Sequence, residues 1–104
     1  MHGASLLFRD VPDKSAIAAI AERLRARGYS LDVQMLCLAE EAGEVIQAYR
    51  RAAGKARTPG EWSKVAEELA DMVIVSHVTA LLAGIDLDAA IAAKLDAIKA
   101  RGGI

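Results

Sequence analysis

Leu38-Ala39-Glu40-Glu41-Ala42-Gly43-Glu44 places carboxylates three and four residues apart within an apolar run, and Glu67-Glu68-Leu69-Ala70-Asp71 does the same downstream. Both runs read as helix, where that spacing puts the acids on one face, about one turn apart. On the upstream helix Cys37, Glu41, Glu44 and Ala48 step 4-3-4; on the downstream one Glu68, Asp71, Val75, Val78 and Leu82 step 3-4-3-4. These are the steps of a packing seam. The acids therefore prolong stripes that are otherwise Val, Leu and small residues. If the two helices pack antiparallel, four carboxylates converge on one point. At about 5 Å and an effective dielectric near 20, each like-charge pair costs roughly 3 kcal/mol. Protonation relieves that cost by raising a pKa, and so does a divalent cation. An all-oxygen ligand set is hard and favours Mg²⁺ or Mn²⁺ over Zn²⁺. A single acid pair on an Ala-rich helix is ordinarily a solvated face; two pairs on two seams make a stronger pattern.

The same residues resemble the signature of the MazG-like nucleotide pyrophosphohydrolases. That family belongs to the all-α NTP pyrophosphatase group, with the dimeric dUTPases and dCTP pyrophosphatases. The motif is Glu40-Glu41-Ala42-Gly43-Glu44, a spacer, then Glu68-Leu69-Ala70-Asp71, with Ala-Asp-Met-Val-Ile-Val after it and Gly84-Ile85-Asp86-Leu87 closing the third helix. The resemblance covers roughly residues 31–101. It implies an all-α, four-helix bundle completed by oligomerisation, as a homodimer or a dimer of dimers. It also implies hydrolysis of a nucleoside triphosphate, NTP or dNTP, to the monophosphate and pyrophosphate, in the service of nucleotide-pool house-cleaning. Carried over residue by residue, it makes Glu41, Glu44, Glu68 and Asp71 both the catalytic set and the ligands of Mg²⁺, with Mn²⁺ able to substitute. Glu40 and Glu67 lie off the best seams; they stand behind the ligands or are simply solvated. The general base is left open.

Phosphates need cations beside them. Lys64, one turn before Glu68 on the same face, is the first candidate, and it reads equally as an i,i+4 ion pair with Glu68. Lys94 and Arg101 match the family's Lys-Met-x-x-Asn-x-x-Arg segment, where Ile98 replaces a commonly polar residue. A base needs an aromatic face. Of Phe8, Tyr29, Tyr49 and Trp62, the best placed is Trp62, near the start of the third helix, whereas Tyr49 reads as core.

The 104 residues predict one domain, 1–104, with 1–11 as an irregular arm. Apolar residues make up 54% of the chain but aromatics only 4%, because much of the apolar content is Ala. Ala-rich helices approach closely yet bury little area each, and a chain this short buries a limited share of its surface. Subunit association is the expected route to a full core. A net charge of −1 with interspersed signs argues against a nucleic-acid or membrane-surface partner. The Arg23-Arg25-Arg27 and Arg50-Arg51-Lys55-Arg57 clusters read as helix ends and solvated faces. Cys37 stands alone, so no intrachain disulfide forms, and it reads as a small seam residue. The apolar run at 5–8 is too short for a signal peptide. The run 72–85 contains Ser76, His77 and Thr79 and falls short of the about 20 residues of a membrane span. A soluble cytoplasmic protein is the expectation.

Pro12-Asp13 opens the first helix, with Ile17, Ile20 and Leu24 at helical spacing and Gly28 as its stop. Asp32 is the expected N-cap of the second, which runs to about Ala53 and ends at Gly54. Gly43 lies inside it, at a cost near 1 kcal/mol relative to Ala, and marks either a close helix contact or room for a ligand. Thr58-Pro59-Gly60-Glu61 has capping-box spacing with Pro at the first helical position, and the third helix then runs to Ala83, stopped by Gly84. Val73, Ile74, Val75, Val78, Leu81 and Leu82 surround its second half, so it is predicted to bury more than one side, against a neighbouring subunit. Asp86 caps a fourth helix through Leu87, Ile91, Leu95 and Ile98.

Other classes compete. A di-iron carboxylate bundle wants Glu-x-x-His pairs on two helices; Glu44 is followed at three residues by Gln47 and Glu68 by Asp71, and the histidines are His2 and His77. A non-catalytic helical interaction module, a relative with lost or weakened activity, would oligomerise without responding to Mg²⁺. There is no Gly-rich Lys-Ser/Thr loop for a P-loop ATPase or GTPase, and no Ser or Cys nucleophile partnered by His is evident. The residues alone do not choose between attack at the α and the γ phosphorus; the α position comes from the resemblance.

Overall fold

The computed structural model describes residues 13–103; the arm expected at 1–11 and the apolar run at 5–8 lie outside them. The regular structure among the described residues is helical throughout: α1 (Lys14–Ala26), α2 (Leu31–Ala52), α3 (Trp62–Ala83) and α4 (Leu87–Ala100).

Three helix starts are fixed by a side chain that satisfies an orphan N–H of the first turn. Asp13 accepts from the Ala16 N–H at 3.1 Å, and Asp86 accepts from the Ala89 N–H at 3.0 Å. For α2 the cap is Ser30, whose hydroxyl accepts from the Val33 N–H at 3.1 Å. Asp32 is thus not the cap; it sits in the first turn, where its charge favours the helix N-terminus. The expected start of α3 is also displaced. Its N-cap is Glu61, which makes no side-chain capping bond, and Pro59 lies in the connection rather than in the first turn. The physical cause is Gly60. Its N–H donates to the Arg51 carbonyl at 3.2 Å, and a Cβ built on it would lie 2.8 Å from the Arg51 Cβ. The connection folds back onto the end of α2 before α3 can begin. Gly84 ends α3 as expected, in the left-handed region at φ 73°, with the Ile85 N–H returning to the Ala80 carbonyl at 2.8 Å.

α2 and α3 pack antiparallel and make the principal contact of the fold. α1 lies on the second half of α3, where Ile17, Ala21 and Val78 form a small core flanked by Leu24 and Leu82. The Arg25 guanidinium fastens this pair by donating to the Leu81 carbonyl at 2.6 Å. Among the described residues the backbone of α4 comes close to that of α3 alone, and α4 contains no buried residue; a Lys14–Asp88 ion pair links its start to that of α1. No single helix among the described residues is long and apolar enough to cross a membrane; α3 and α4 pass such a test only together, across a 110° bend.

The seam itself runs one step away from its expected course. Covered or half-covered positions at seam spacing are Gln34, Cys37, Glu41, Val45 and Ala48 on α2, and Val65, Glu68, Met72, Val75, Thr79 and Leu82 on α3; the expected seam residue Val78 is buried against α1 instead. Glu41 and Glu68 are on the seam, as their spacing predicts, whereas Glu44 and Asp71 flank it and are exposed. Among the described residues the remaining apolar faces are exposed: Leu36 is 66% exposed, Ile46 59% and Leu69 50%, and Val73, Ile74 and Leu81 on α3 are also open. Ile20 of α1 is likewise exposed.

One polar contact fixes the register of the seam. Gln34 and Thr79, both buried, meet through Gln34 Nε2 donating to Thr79 Oγ1 at 3.1 Å, while the Thr79 hydroxyl donates to the Val75 carbonyl at 2.7 Å. From Gln34 to Glu44 is ten residues forward, and from Thr79 to Glu68 eleven back, so this contact and the acid cluster belong to one antiparallel register. The bonding is asymmetric, and so is the expected cost of breaking it. Thr79→Val keeps the shape but strands the buried Gln34 amide, and should cost about 1–3 kcal/mol. Gln34→Leu leaves the Thr79 hydroxyl bonded to Val75, and the double variant removes both polar partners; each should cost less than Thr79→Val alone. Chemical denaturation of the three variants checks this ordering, and a Gln34→Leu cost above that of Thr79→Val would refute it.

Candidate metal and substrate site

Glu41 and Glu44 from α2 and Glu68 from α3 each bring one carboxylate oxygen within 4.8 Å of the others. The antiparallel register puts them together, and the seam removes part of their water. Glu68 is only 5% exposed. One of its oxygens, Oε1, pairs with Lys64 Nζ at 3.2 Å, so the i,i+4 ion pair forms. The other, Oε2, is buried without a hydrogen-bond partner among the described residues, and so is Oε2 of Glu41. A buried polar atom left unpaired costs roughly 1–3 kcal/mol, more when it carries charge.

The electrostatics follow from this crowding. Burial pushes the Glu41 carboxyl above the ordinary range, and the charges of Asp71, Glu68 and Glu40 push it further. The Glu44 carboxyl is raised chiefly by a hydrogen bond shared with Glu68, then by the charge of Glu41. Lys64 is raised by its bond to Glu68 first and by Glu67 next. Asp71 is exposed and lies outside the group of three, yet its charge reaches Glu41. Glu40 and Glu67 are exposed and act on the site through charge. Converging hard oxygens, two of them orphaned, are what a small divalent cation satisfies, and the donor set suits Mg²⁺ or Mn²⁺. The residues present therefore fit such an ion.

A cleft of about 320 Å³ opens directly from this cluster. Glu44, Gln47, Ala48 and Arg51 of α2 form one wall; Pro59, Gly60, Lys64 and Glu68 form the other. Gln47 and Arg51 are the residues that sequence reasoning missed, since the arginine cluster read as a helix end. The signal was available: they follow Glu44 at three and seven residues, on one helix face. Gly43 is exposed, and a Cβ there would meet nothing within 4 Å, so close helix contact within the chain does not explain it.

Other candidates lie elsewhere. Trp62 is 59% exposed and outside the cleft walls. Its ring meets Tyr49 edge-on at 5.9 Å, and Tyr49, expected in the core, is 40% exposed with Lys55 above its ring. Lys94 and Arg101 are exposed. Lys94 is on α4 and Arg101 is its C-cap, and neither lines the cleft or joins the acid cluster. Cys37 is half-buried and meets the Tyr29 hydroxyl at 3.3 Å.

Against this geometry the comparisons with known proteins can be set. Searches of curated proteins and of solved structures return no match. A family model, described as the MazG nucleotide pyrophosphohydrolase domain, matches residues 30–102. That span contains the whole α2–α3 hairpin, all the clustered acids, both walls of the cleft and α4. The chain belongs to the MazG nucleotide pyrophosphohydrolase family.

Proposed function

We propose that this protein is a divalent-metal-dependent nucleoside triphosphate pyrophosphohydrolase that converts an NTP or dNTP and water to the monophosphate and pyrophosphate. The observation that carries the reading is the pair of orphaned buried oxygens, Glu41 Oε2 and Glu68 Oε2, in a cluster with Glu44. Glu41, Glu44 and Glu68, with Asp71 at the rim, are the residues assigned to the cation, Mg²⁺ or Mn²⁺. When bound, such an ion supplies charge neutralisation for the phosphates and Lewis acidity toward water. Lys64 is assigned two roles, holding the buried Glu68 in its orientation and presenting positive charge to the phosphates beside it. Glu40 and Glu67 support the site's field from outside. Trp62, exposed at the start of α3, is assigned to the base.

The uncovered faces of α2 and α3 are assigned to a second copy of the chain, in a dimer or a dimer of dimers. In that assembly Lys94 and Arg101, which neither line the cleft nor join the acid cluster of their own chain, serve the phosphates of another. A cytoplasmic role in clearing unwanted nucleotides fits this chemistry.

Three measurements test the reading. Mg²⁺ or Mn²⁺ should raise the melting temperature, because native-state binding stabilises by about 2.7 kcal/mol at a hundredfold excess over the dissociation constant. Glu68→Gln should abolish most of that shift and Glu67→Gln should retain most of it; equal responses would place the metal elsewhere. Hydrolysis in ¹⁸O-water should put the label in the monophosphate, whereas orthophosphate release or label confined to pyrophosphate rules out attack at the α-phosphorus. Sedimentation at micromolar concentration should show a dimer or larger, and a stable monomer would remove the assembly and the roles of Lys94 and Arg101 with it.

A further inference from the structure

Arg51 is half-buried in the cleft wall, yet among the described residues its guanidinium has no hydrogen bond or ion pair. A guanidinium carries five donors in a rigid fork and stays charged at every physiological pH. Lys64 spends its charge on Glu68; Arg51 does not pair with Glu44 or Glu68, although both border the same cleft. Its location is also built. The Gly60 N–H bonds the Arg51 carbonyl at 3.2 Å, and the 2.8 Å approach of a hypothetical Gly60 Cβ to the Arg51 Cβ means that only glycine lets the opposite wall close this far. Arginine and wall are therefore held as one unit.

The chemistry of the lining restricts the occupant. A nucleobase is recognised by stacking and edge hydrogen bonds, and no aromatic ring among the described residues lines the cleft. Beyond Glu44 and Glu68, whose charge a cation in the acid cluster would offset, and the Pro59-Gly60 wall, the lining is two cations that can only donate, the Gln47 amide, and a small floor at Ala48, 6% exposed. That is a setting for oxyanions, and a fork of N–H donors matches phosphate oxygens bidentately. The axial distance fits as well. Arg51 lies seven residues beyond Glu44, about 10 Å along the helix, and helical side chains lean back toward the N-terminus. The guanidinium thus reaches the phosphates next to the acid cluster rather than the cluster itself.

We propose that this cleft holds the two phosphates that depart as pyrophosphate, with Arg51 as their principal ligand and Lys64 opposite. The proposal rests on the reading of a triphosphate substrate and deepens it by giving the substrate a direction: terminal phosphates toward Arg51 and Gly60, nucleoside toward the Glu41–Asp71 side, away from Trp62 at the start of α3, so the base assigned to Trp62 is that of a nucleotide held by another copy of the chain. Negative charge grows on the departing oxygen as the α–β bond breaks, so Arg51 aids the chemical step as well as binding.

The test uses the full chain with Mg²⁺ and measures calorimetric binding of inorganic tripolyphosphate and of a nucleoside monophosphate. Arg51→Gln should weaken tripolyphosphate about 10- to 100-fold, as loss of a charge-assisted pair does, while monophosphate binding changes less than about threefold. Arg51→Lys should fall between, and kcat should drop with kcat/KM for the triphosphate. Gly60→Ala, which alters no charge, should weaken tripolyphosphate in the same direction by displacing the wall; circular dichroism confirms that each variant is folded. Unchanged tripolyphosphate affinity in Arg51→Gln, or an equal loss for the monophosphate, overturns the proposal. So does a wild-type protein that does not bind tripolyphosphate. A wild-type protein that binds tripolyphosphate through Arg51 but hydrolyses no nucleotide supports the pocket and removes the hydrolase reading alone.

Discussion

Two carboxylates set into an apolar helix seam are the constraint around which this fold is arranged. Glu41 and Glu68 occupy positions that Val or Leu would fill on an ordinary hairpin, and each keeps a buried oxygen without a partner. Left alone, their mutual repulsion would push α2 and α3 apart or out of register. The opposing forces are local and identifiable. Lys64 neutralises one side of Glu68 at 3.2 Å. Ala48 and Val65 close the seam on one side of the acids, and the Gln34–Thr79 bond closes it on the other. The acids are therefore gripped between an apolar clamp and a polar one. A site that attracts a cation, as proposed for this one, cannot also satisfy its own oxygens, and the clamps hold the strain in place.

The same economy shapes the rest of the chain. Among the described residues no large side chain is fully buried, and the apolar core proper is Ile17, Ala21 and Val78 with their neighbours. Ala-rich helices let the backbones of α2 and α3 approach, which is what brings carboxylates from two helices together, but they leave little area to stabilise a monomer. The consequence is a surface with Leu36, Ile46, Leu69 and Ile85 more than half exposed or at half. The proposed function and the proposed assembly thus draw on one design: the thin seam that crowds the acids also leaves apolar faces exposed.

Local chemistry was the most legible part of the sequence. Asp13, Gly84 and Asp86 act where short-range rules put them, because a cap or a left-handed stop needs only the three or four residues beside it. Ser30 was overlooked in favour of Asp32, since both are good caps and the choice depends on where the chain leaves α1. The start of α3 was misplaced for a longer-range reason. Pro59 is suited to a first turn, but the Gly60 N–H is drawn to the Arg51 carbonyl, and a contact between residues nine apart overrode the local preference. Arg51 itself read as a solvated helix end, because nothing in its immediate neighbourhood records that the connection folds over it.

By itself the sequence determined the four helices of the described residues and the shared face of each acid pair, because both follow from spacing along one chain and the 3.6-residue period; the family came from the resemblance of the acid motif and its surroundings. Which acids are buried was beyond it. A 4-3 step admits Glu44 or Val45, and Asp71 or Met72, as the next seam position, and the difference is one residue's rotation about the helix axis. Only the docking of α2 on α3 settles that rotation, placing Glu41 and Glu68 inside and leaving Glu44 and Asp71 at the rim. The cleft is likewise a tertiary product. Its walls come from residues 44–51 and 59–68, and their separation is decided by how near a backbone without a Cβ can come to Arg51.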